Sequence, residues 1–376
     1  MRNFFLSVHK YLGIVTGIII FIEALTGCIY CFQDEIKDYL HSDYRKVSIQ
    51  NSSFISPSQV YPIVKSALPN ANVNRMMYMG KDRSIVAMAT DLKKTTFFVY
   101  INPYNGKVLK TEKMLDDIFY IILYIHICLL IPGKTGKLII GISAIIFMVL
   151  LIIGLILWWP KNGKFKKRYF TIKWGAKIKR VNFDLHNVLG FYISGLAFIM
   201  ILTGLSFAFE PVKNGIYKTL NLGKSKNEEI TRFQFIPEKV DSLNLLTDLD
   251  KAYAYARVNS KNADMLWLYL PNEAKSPLAI RAYHESLRYA KVDEYQFDFN
   301  EHKTHSLLHE DLSTGKKANN MNYDLHTGQQ FGIIGKIIFF IGSFIIGSLP
   351  ITGFILWRSK VRKLRKKKQK KLTQIV

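Results

Sequence analysis

A disulfide scaffold is excluded at the outset, because the 376-residue chain holds only three cysteines, too few for a framework of paired bridges. No Gly-x-Gly-x-x-Gly run follows a strand pattern, so a dinucleotide-binding fold is not signalled. Acidic residues are the next shortage: 28 Asp and Glu stand against 52 Lys and Arg. Two stretches contain none. Lys161–Arg180 carries nine basic residues and Arg358–Lys371 carries ten, with no carboxylate in either. The net charge of +24 would suit nucleic acid if it covered a folded surface. Here it is gathered beside hydrophobic runs, which points to lipid headgroups and leaves no expected nucleic-acid partner.

Those runs are what the chain does possess. Four stretches, roughly 11–32, 138–159, 188–209 and 331–357, are apolar over a length that crosses a bilayer core. The first is not a cleaved signal peptide: it is too long, lacks a small-x-small cleavage site, and is echoed at 188–209, deep in the chain. Basic flanks place both termini and the 160–180 loop in the cytoplasm and the two long connections outside.

The chain also repeats itself. His9 aligns with His186, Gly13 with Gly190, and Leu25-Thr26-Gly27 with Leu202-Thr203-Gly204. HICLLIPGKTGKLI, running on to GLILWW, is answered by HTGQQFGIIGKII, running on to TGFILW. The expected fold is an α-helical membrane protein, a four-helix transmembrane bundle built from two repeats. Between the spans, alternating apolar patterns predict two small α+β outer domains. The predicted divisions are 1–32 (first span), 33–115 (first outer domain), 116–159 (a short outer helix and second span) and 160–180 (basic loop). They continue with 181–210 (third span), 211–320 (second outer domain), 321–358 (outer segment and fourth span) and 359–376 (basic tail). In the second outer domain a helix over LLTDLDKAYAYARV is expected to be capped by Thr247 or Asp248. Strands are expected at Met265–Leu270, Leu278–Tyr283 and Tyr295–Asn300, then a turn near Glu301–Thr304.

Each half carries a histidine at both hydrophobic boundaries: His9 and His186 at the cytoplasmic ends, His126 and His326 at the outer ends. Two-fold packing about the membrane normal would face each pair across the bundle. Two imidazoles facing each other in an apolar site suit the two axial positions of haem iron, with Gly13, Gly17 and Gly190 making room on the same helix faces. Zinc would want further Cys or carboxylate ligands, and none recurs with either pair. No Cys-x-x-Cys-His occurs, so any haem is non-covalent. The plainer reading is that a histidine ring suits a membrane boundary because it is half polar.

Other positions carry two readings each. Glu23 stands in mid-span, where a carboxylate is costly unless neutral or paired; it is either a polar contact or proton relay near the outer cofactor, or a protonated structural residue. Its counterpart is Met200. Cys28 and Cys31 are either an outer redox pair or small apolar residues. Thr26-Gly27 and Thr203-Gly204 are assigned to close helix packing, and Gly136 and Gly141 to the approach of something bulky. His284, His302, His305 and His309 are a weak metal cluster or exposed loop residues.

SVHKYLGIVTG, ALTG, YIHICLLIPGKTGKLIIG and GLILWW, with their second-half echoes and FFVYINPYNGKVL in the first outer domain, resemble the PepSY-associated transmembrane family of bacterial inner-membrane proteins. The resemblance covers nearly the whole chain and implies that both outer domains are PepSY-like. It implies further a ferric-siderophore reductase with two b-type haems, their axial ligands matching His9, His186, His126 and His326, and electrons passing outward to a ferric siderophore in the periplasm. Some members carry a fused flavoprotein region; here the expected donor is a separate flavoprotein, reduced flavin or quinol. Two rivals belong to other classes: an iron or siderophore permease subunit, which the charge-poor spans disfavour, and a membrane-anchored PepSY binding or regulatory protein without a cofactor.

Overall fold

A computed structural model describes residues 1–160, 166–223, 245–271, 277–298 and 303–373. His302, the first half of the expected turn near Glu301–Thr304 and the end of the strand expected to reach Asn300 fall outside the described residues, as do the side chains of Lys366–Lys371. In chain order the helices are α1 (Arg2–Cys31), α2 (Gln33–Leu40), α3 (Ser42–Arg45), α4 (Pro57–Ala67), α5 (Ile118–Cys128) and α6 (Lys134–Trp158). They continue with α7 (Ile178–Asp184), a π-helical turn (Leu185–Leu189), α8 (Gly190–Ala208), α9 (Glu210–Leu220), α10 (Leu245–Asn259), α11 (Thr314–Thr327) and α12 (Gly332–Thr373). Strands β1 (Asn72–Tyr78), β2 (Ile85–Thr90), β3 (Thr96–Ile101) and β4 (Val108–Lys113) follow α4. Strands β5 (Met265–Tyr269), β6 (Leu278–Tyr283), β7 (Val292–Asp298) and β8 (Lys303–Leu307) follow α10.

The chain divides into two compact units. The helical unit comprises Met1–Cys31, Ile122–Glu210 and Leu325–Val376. Among the described residues, four helical stretches are long and apolar enough to cross a membrane: Arg2–Cys31, Lys134–Trp158, Ile178–Ala208 and Gln329–Lys363, with mean hydropathies of 2.2, 3.1, 2.1 and 2.0. Small residues let them approach closely. Gly347 on α12 lies over Ala24 of α1, a Cβ there meeting the alanine methyl at 3.3 Å, and Gly342 lies under Leu196 of α8.

Two tight turns lead into spans. After α5, Leu129 and Leu130 adopt positive φ (52° and 58°), and Gly133 (φ 74°) opens α6. After α11, Gly328 (φ 76°) and Gly332 (φ 63°) do the same before α12. These left-handed angles suit glycine, which has no Cβ to clash. Gly136 and Gly335 then sit against the turn itself: a Cβ on Gly136 would run into the Cys128 and Ile131 carbonyls, and one on Gly335 into the Gly328 carbonyl. The bulky neighbour expected at Gly136 is thus the chain's own turn, and at Gly141 it is the Phe209 ring.

The sheet unit comprises Phe32–Ile121 and Pro211–Asp324. Two separate outer domains were expected from the sequence; instead the eight strands form one antiparallel sheet, in the order β4-β3-β2-β1-β5-β6-β7-β8. The join is β1 with β5, pairing Arg75 with Tyr269, Met77 with Trp267 and Tyr78 with Leu266. No local sequence pattern announces which edges of two distant sheets will pair. Helices α4 and α10 cover one face, burying Val60, Val64, Leu249, Ala252 and Ala256 against Met76, Ile85, Leu268 and Ile280. Asp250 ties the two helices together by accepting from Ser58 N (2.9 Å) and Ser58 Oγ (2.6 Å). Helix α10 is already formed at Leu245, so Thr247 and Asp248 lie inside it and do not cap it. Strand β7 starts at Val292, three residues before the expected Tyr295.

A compact ion cluster fixes α2 and α3 to the sheet. Asp38 accepts from Arg45 Nε at 2.8 Å and from Arg83 Nη1 at 3.0 Å. Burial opposes ionisation of Asp38, but hydrogen bonds from Arg83 and Arg45, with their charges, outweigh it and hold its pKa below the ordinary value. A depressed folded pKa gives stability that is present above the unfolded value and lost as pH falls through the folded one. The thermal midpoint of the purified protein should therefore fall below about pH 4, and Asp38→Asn should show a lower midpoint at neutral pH with a flatter acid dependence.

Candidate functional site

Within the helical unit the four repeated histidines meet in twos. His9 on α1 and His186 have ring centres 6.2 Å apart with planes at 86°. His126 at the end of α5 and His326 at the end of α11 have ring centres 6.1 Å apart with planes at 59°. The first pair sits near the start of α1, the second beside its C-terminal part, where Thr26 and Gly27 lie. His186 falls in the π-helical turn Leu185–Leu189, a rare, widened turn that is frequent at functional sites.

The backbone and threonines decide which ring nitrogen is free. His126 Nδ1 lies 3.0 Å from Thr26 Oγ1 and 3.1 Å from the Glu23 carbonyl. The Thr26 hydroxyl has one proton, and it is directed to the Ile22 carbonyl at 2.7 Å. Both partners of Nδ1 then accept, so Nδ1 carries the hydrogen and Nε2 keeps its lone pair. The same arrangement holds His326, whose Nδ1 lies 2.8 Å from Thr203 Oγ1, itself donating to Ile199 O at 2.7 Å. His186 Nδ1 lies 3.0 Å from Thr352 Oγ1, which donates to the Ser348 or Leu349 carbonyl at 3.0 Å. At His9 the pattern breaks. Ile153 stands where the second half has Thr352, so no hydroxyl meets His9 Nδ1, and only the Leu150 main chain stands beside it, outside close hydrogen-bond geometry.

A glycine lies against each ring. A Cβ on Gly154 would stand 3.5 Å from His9 Cε1, and one on Gly353 would stand 3.2 Å from His186 Cε1. For Gly27 and His126 the distance is 3.5 Å, and for Gly204 and His326 it is 3.3 Å. Larger residues would push the rings away from one another. The glycines expected to make room behave differently: nothing lies within 4 Å of a Cβ on Gly13, Gly17 faces Pro350, and Gly190 has only Leu349 at 3.9 Å.

Ring centres about 6 Å apart match two imidazoles on opposite sides of one metal, given metal–nitrogen bonds of about 2.0 Å and the half-width of each ring. The half-buried rings, and the Nδ1 anchors that leave Nε2 free at His126, His186 and His326, fit a bis-imidazole haem site. Among the described residues no group of three or more His, Cys, Asp or Glu side chains converges, so the pairs are not parts of a larger ligand cluster.

The remaining candidates separate from this site. Glu23 lends only its main-chain carbonyl to His126, and its carboxyl makes no ion pair among the described residues. Cys28, Cys31 and Cys128 are free thiols; Cys28 and Cys31 are buried and point to main-chain oxygens of Phe340, Thr327 and Lys336. That is the packing reading of the pair. In the sheet unit His284 Nε2 meets Asp293 Oδ2 at 2.7 Å, and the other Asp293 oxygen accepts from His309 N at 2.8 Å, a bonded network of the fold. Sequence reasoning assigned Thr26-Gly27 and Thr203-Gly204 to helix packing and passed over Thr352, Gly154 and Gly353. The signal was present, since six of these seven residues belong to the repeated Leu-Thr-Gly strings or to the Thr352-Gly353 pair.

Substituting Gly353 by Ala should lower the thermal midpoint of the detergent-solubilised protein, an overpacking cost of about 1–3 kcal/mol. Gly195→Ala, where nothing lies within 4 Å, should be neutral or stabilising by up to about 1 kcal/mol, because alanine is the better helix former. Equal shifts for the two variants would contradict the close ring contact.

No curated protein matches the chain. A family model described as the PepSY-associated TM region matches residues 6–360, and the chain belongs to that family of membrane proteins.

Proposed function

We propose that the protein is a di-haem reductase of the bacterial inner membrane, passing electrons from the cytoplasmic or membrane side to periplasmic ferric-siderophore iron. The observation that carries this reading is the meeting of His9 with His186 and of His126 with His326 at 6.2 and 6.1 Å between ring centres. In this reading the spans form a bundle of two repeats, both termini are cytoplasmic, and the sheet unit consists of PepSY-like modules in the periplasm. The basic stretches beside the second and fourth spans support that orientation.

His9 and His186 would hold one non-covalent b-type haem, and His126 and His326 a second. When bound, the two supply reversible one-electron carriers at two depths of the bilayer. The chain's own residues do the positioning. Thr26, Thr203 and Thr352 fix the tautomer and the plane of three rings, so that Nε2 is unprotonated without a change of pH. The apolar spans keep water from the paired rings, and Gly27, Gly154, Gly204 and Gly353 hold open the approach to them. His9, lacking the threonine, is held by one fewer bond than its partner. Reduction of the chelated iron from Fe(III) to Fe(II) weakens its attachment to hard oxygen donors and frees the metal. The electron donor is a separate flavoprotein, reduced flavin or quinol.

The test is an absorption spectrum of the purified protein, oxidised and dithionite-reduced. Wild type should show a b-type haem spectrum, and His9→Ala and His126→Ala should each lose about half of the haem, one site per variant. A colourless wild-type protein, or unchanged haem in both variants, would remove the assignment.

A further inference from the structure

The face of the sheet turned away from α4 and α10 carries a row of cations and aromatic rings that nothing above employs. Strand register sets them side by side. Trp267 pairs with Arg281, and Arg281 with Glu294; one step along, Arg75 pairs with Tyr269, Tyr269 with Ala279, and Ala279 with Gln296. The small Ala279 between two larger neighbours leaves a hollow, and a cavity of about 410 Å³ opens there, walled by Arg75, Met88, Tyr269, Arg281 and Glu294. A second cavity of about 260 Å³ shares Arg281 and Glu294 and adds Lys213, Tyr283, Tyr289, Lys316 and Asn320. Together they have the size of a small-molecule site.

The chemistry of the walls is one-sided. Four cations face one carboxylate, and that carboxylate is already shared by Arg281 (3.3 Å) and Lys316 (3.5 Å). Arg75 makes no ion pair among the described residues; its guanidinium lies 4.4 Å from the centre of the Tyr269 ring and 5.3 Å from that of Trp267. Arg281 is also placed over Tyr269, at 5.4 Å, with 44% of its side chain exposed. The Arg75 guanidinium, placed over an aromatic ring and without an ion pair among the described residues, has N–H groups to offer to planar oxygen pairs. A further donor in the wall of the second cavity, Asn320 Nδ2, is buried with no acceptor. An unmet buried donor is costly, and an acceptor-rich ligand would satisfy it.

We propose that this face binds a polyanionic metal chelate whose arms are aromatic oxygen donors of the catecholate type. The proposal rests on the reductase reading for the identity of the metal. Catechol oxygens are planar acceptor pairs suited to the arginine edges. Three dianionic catecholate arms leave ferric iron with a net triple negative charge, whereas three hydroxamate arms leave a neutral complex, so the four cations favour the former.

Gallium(III) tests this without electron transfer, since it takes the place of ferric iron but is not reduced. Equilibrium dialysis of the full-length detergent-solubilised protein with gallium tris-catecholate should show saturable binding that weakens as salt is raised. Gallium tris-hydroxamate should bind about tenfold more weakly or worse. Arg75→Ala and Arg281→Ala should each weaken catecholate binding about tenfold, with Arg281→Lys recovering part of the loss. Asn320→Asp, which sets a carboxylate in the second wall, should weaken it too. Each variant is compared at a thermal midpoint matching wild type, and Arg75→Gln replaces any variant that fails to fold. Equal affinity for the two complexes, or arginine variants indistinguishable from wild type, would overturn the proposal. Preferential catecholate binding by a colourless protein would sink the reductase reading alone, and a haem-bearing protein with no preference would sink this one alone.

Discussion

The histidine pairs answer to one constraint: a polar ring nitrogen placed among apolar helices is costly unless it is bonded, because water is not there to bond it. Thr26, Thr203 and Thr352 meet that demand for three of the rings. A threonine inside a helix ordinarily spends its hydroxyl on the carbonyl one turn back. Having done so, it presents only lone pairs to the imidazole and thereby dictates which nitrogen holds the proton. Tautomer, ring plane and the direction of Nε2 all follow from a side chain that sequence alone reads as a packing residue.

Around this bond the turns matter as much as the spans. His126 and His326 belong to helices that stop within two residues of the histidine and reverse through left-handed backbone before the next helix begins. Gly136 and Gly335 let the following helix lie directly on the turn. A histidine on a freely moving loop would have no fixed distance to a partner; a short helix pinned by its own turn has one.

Much of this was legible beforehand. Hydropathy length gave the four spans, and the recurrence of His9 at His186 and of His126 near the head of a repeated string singled out the four rings before their pairing was known. Local pattern also located strands such as Leu278–Tyr283. What was illegible required three-dimensional partners. Gly27 and Gly204 read as helix-packing glycines because the ring they touch comes from a helix about a hundred residues away. Gly13 and Gly17, on the same helix as His9, looked like its neighbours, whereas the glycine touching that ring is Gly154 of another span. The cap expected at Thr247 failed because an amphipathic pattern fixes a helix's face more firmly than its first residue.

The union of the two strand sets through β1 and β5 has its own consequence for how this chain is handled and how it evolves. Each set completes the other's border: Arg75 to Tyr78 are hydrogen-bonded on one side only by residues some two hundred positions later. Excising either set as a freestanding module would strip a full row of main-chain donors and acceptors from a flat, apolar strand, the kind of surface that templates self-association. Fragments cut at the apparent boundary should therefore clump, and sequence drift in one set is tethered to the other by a shared seam.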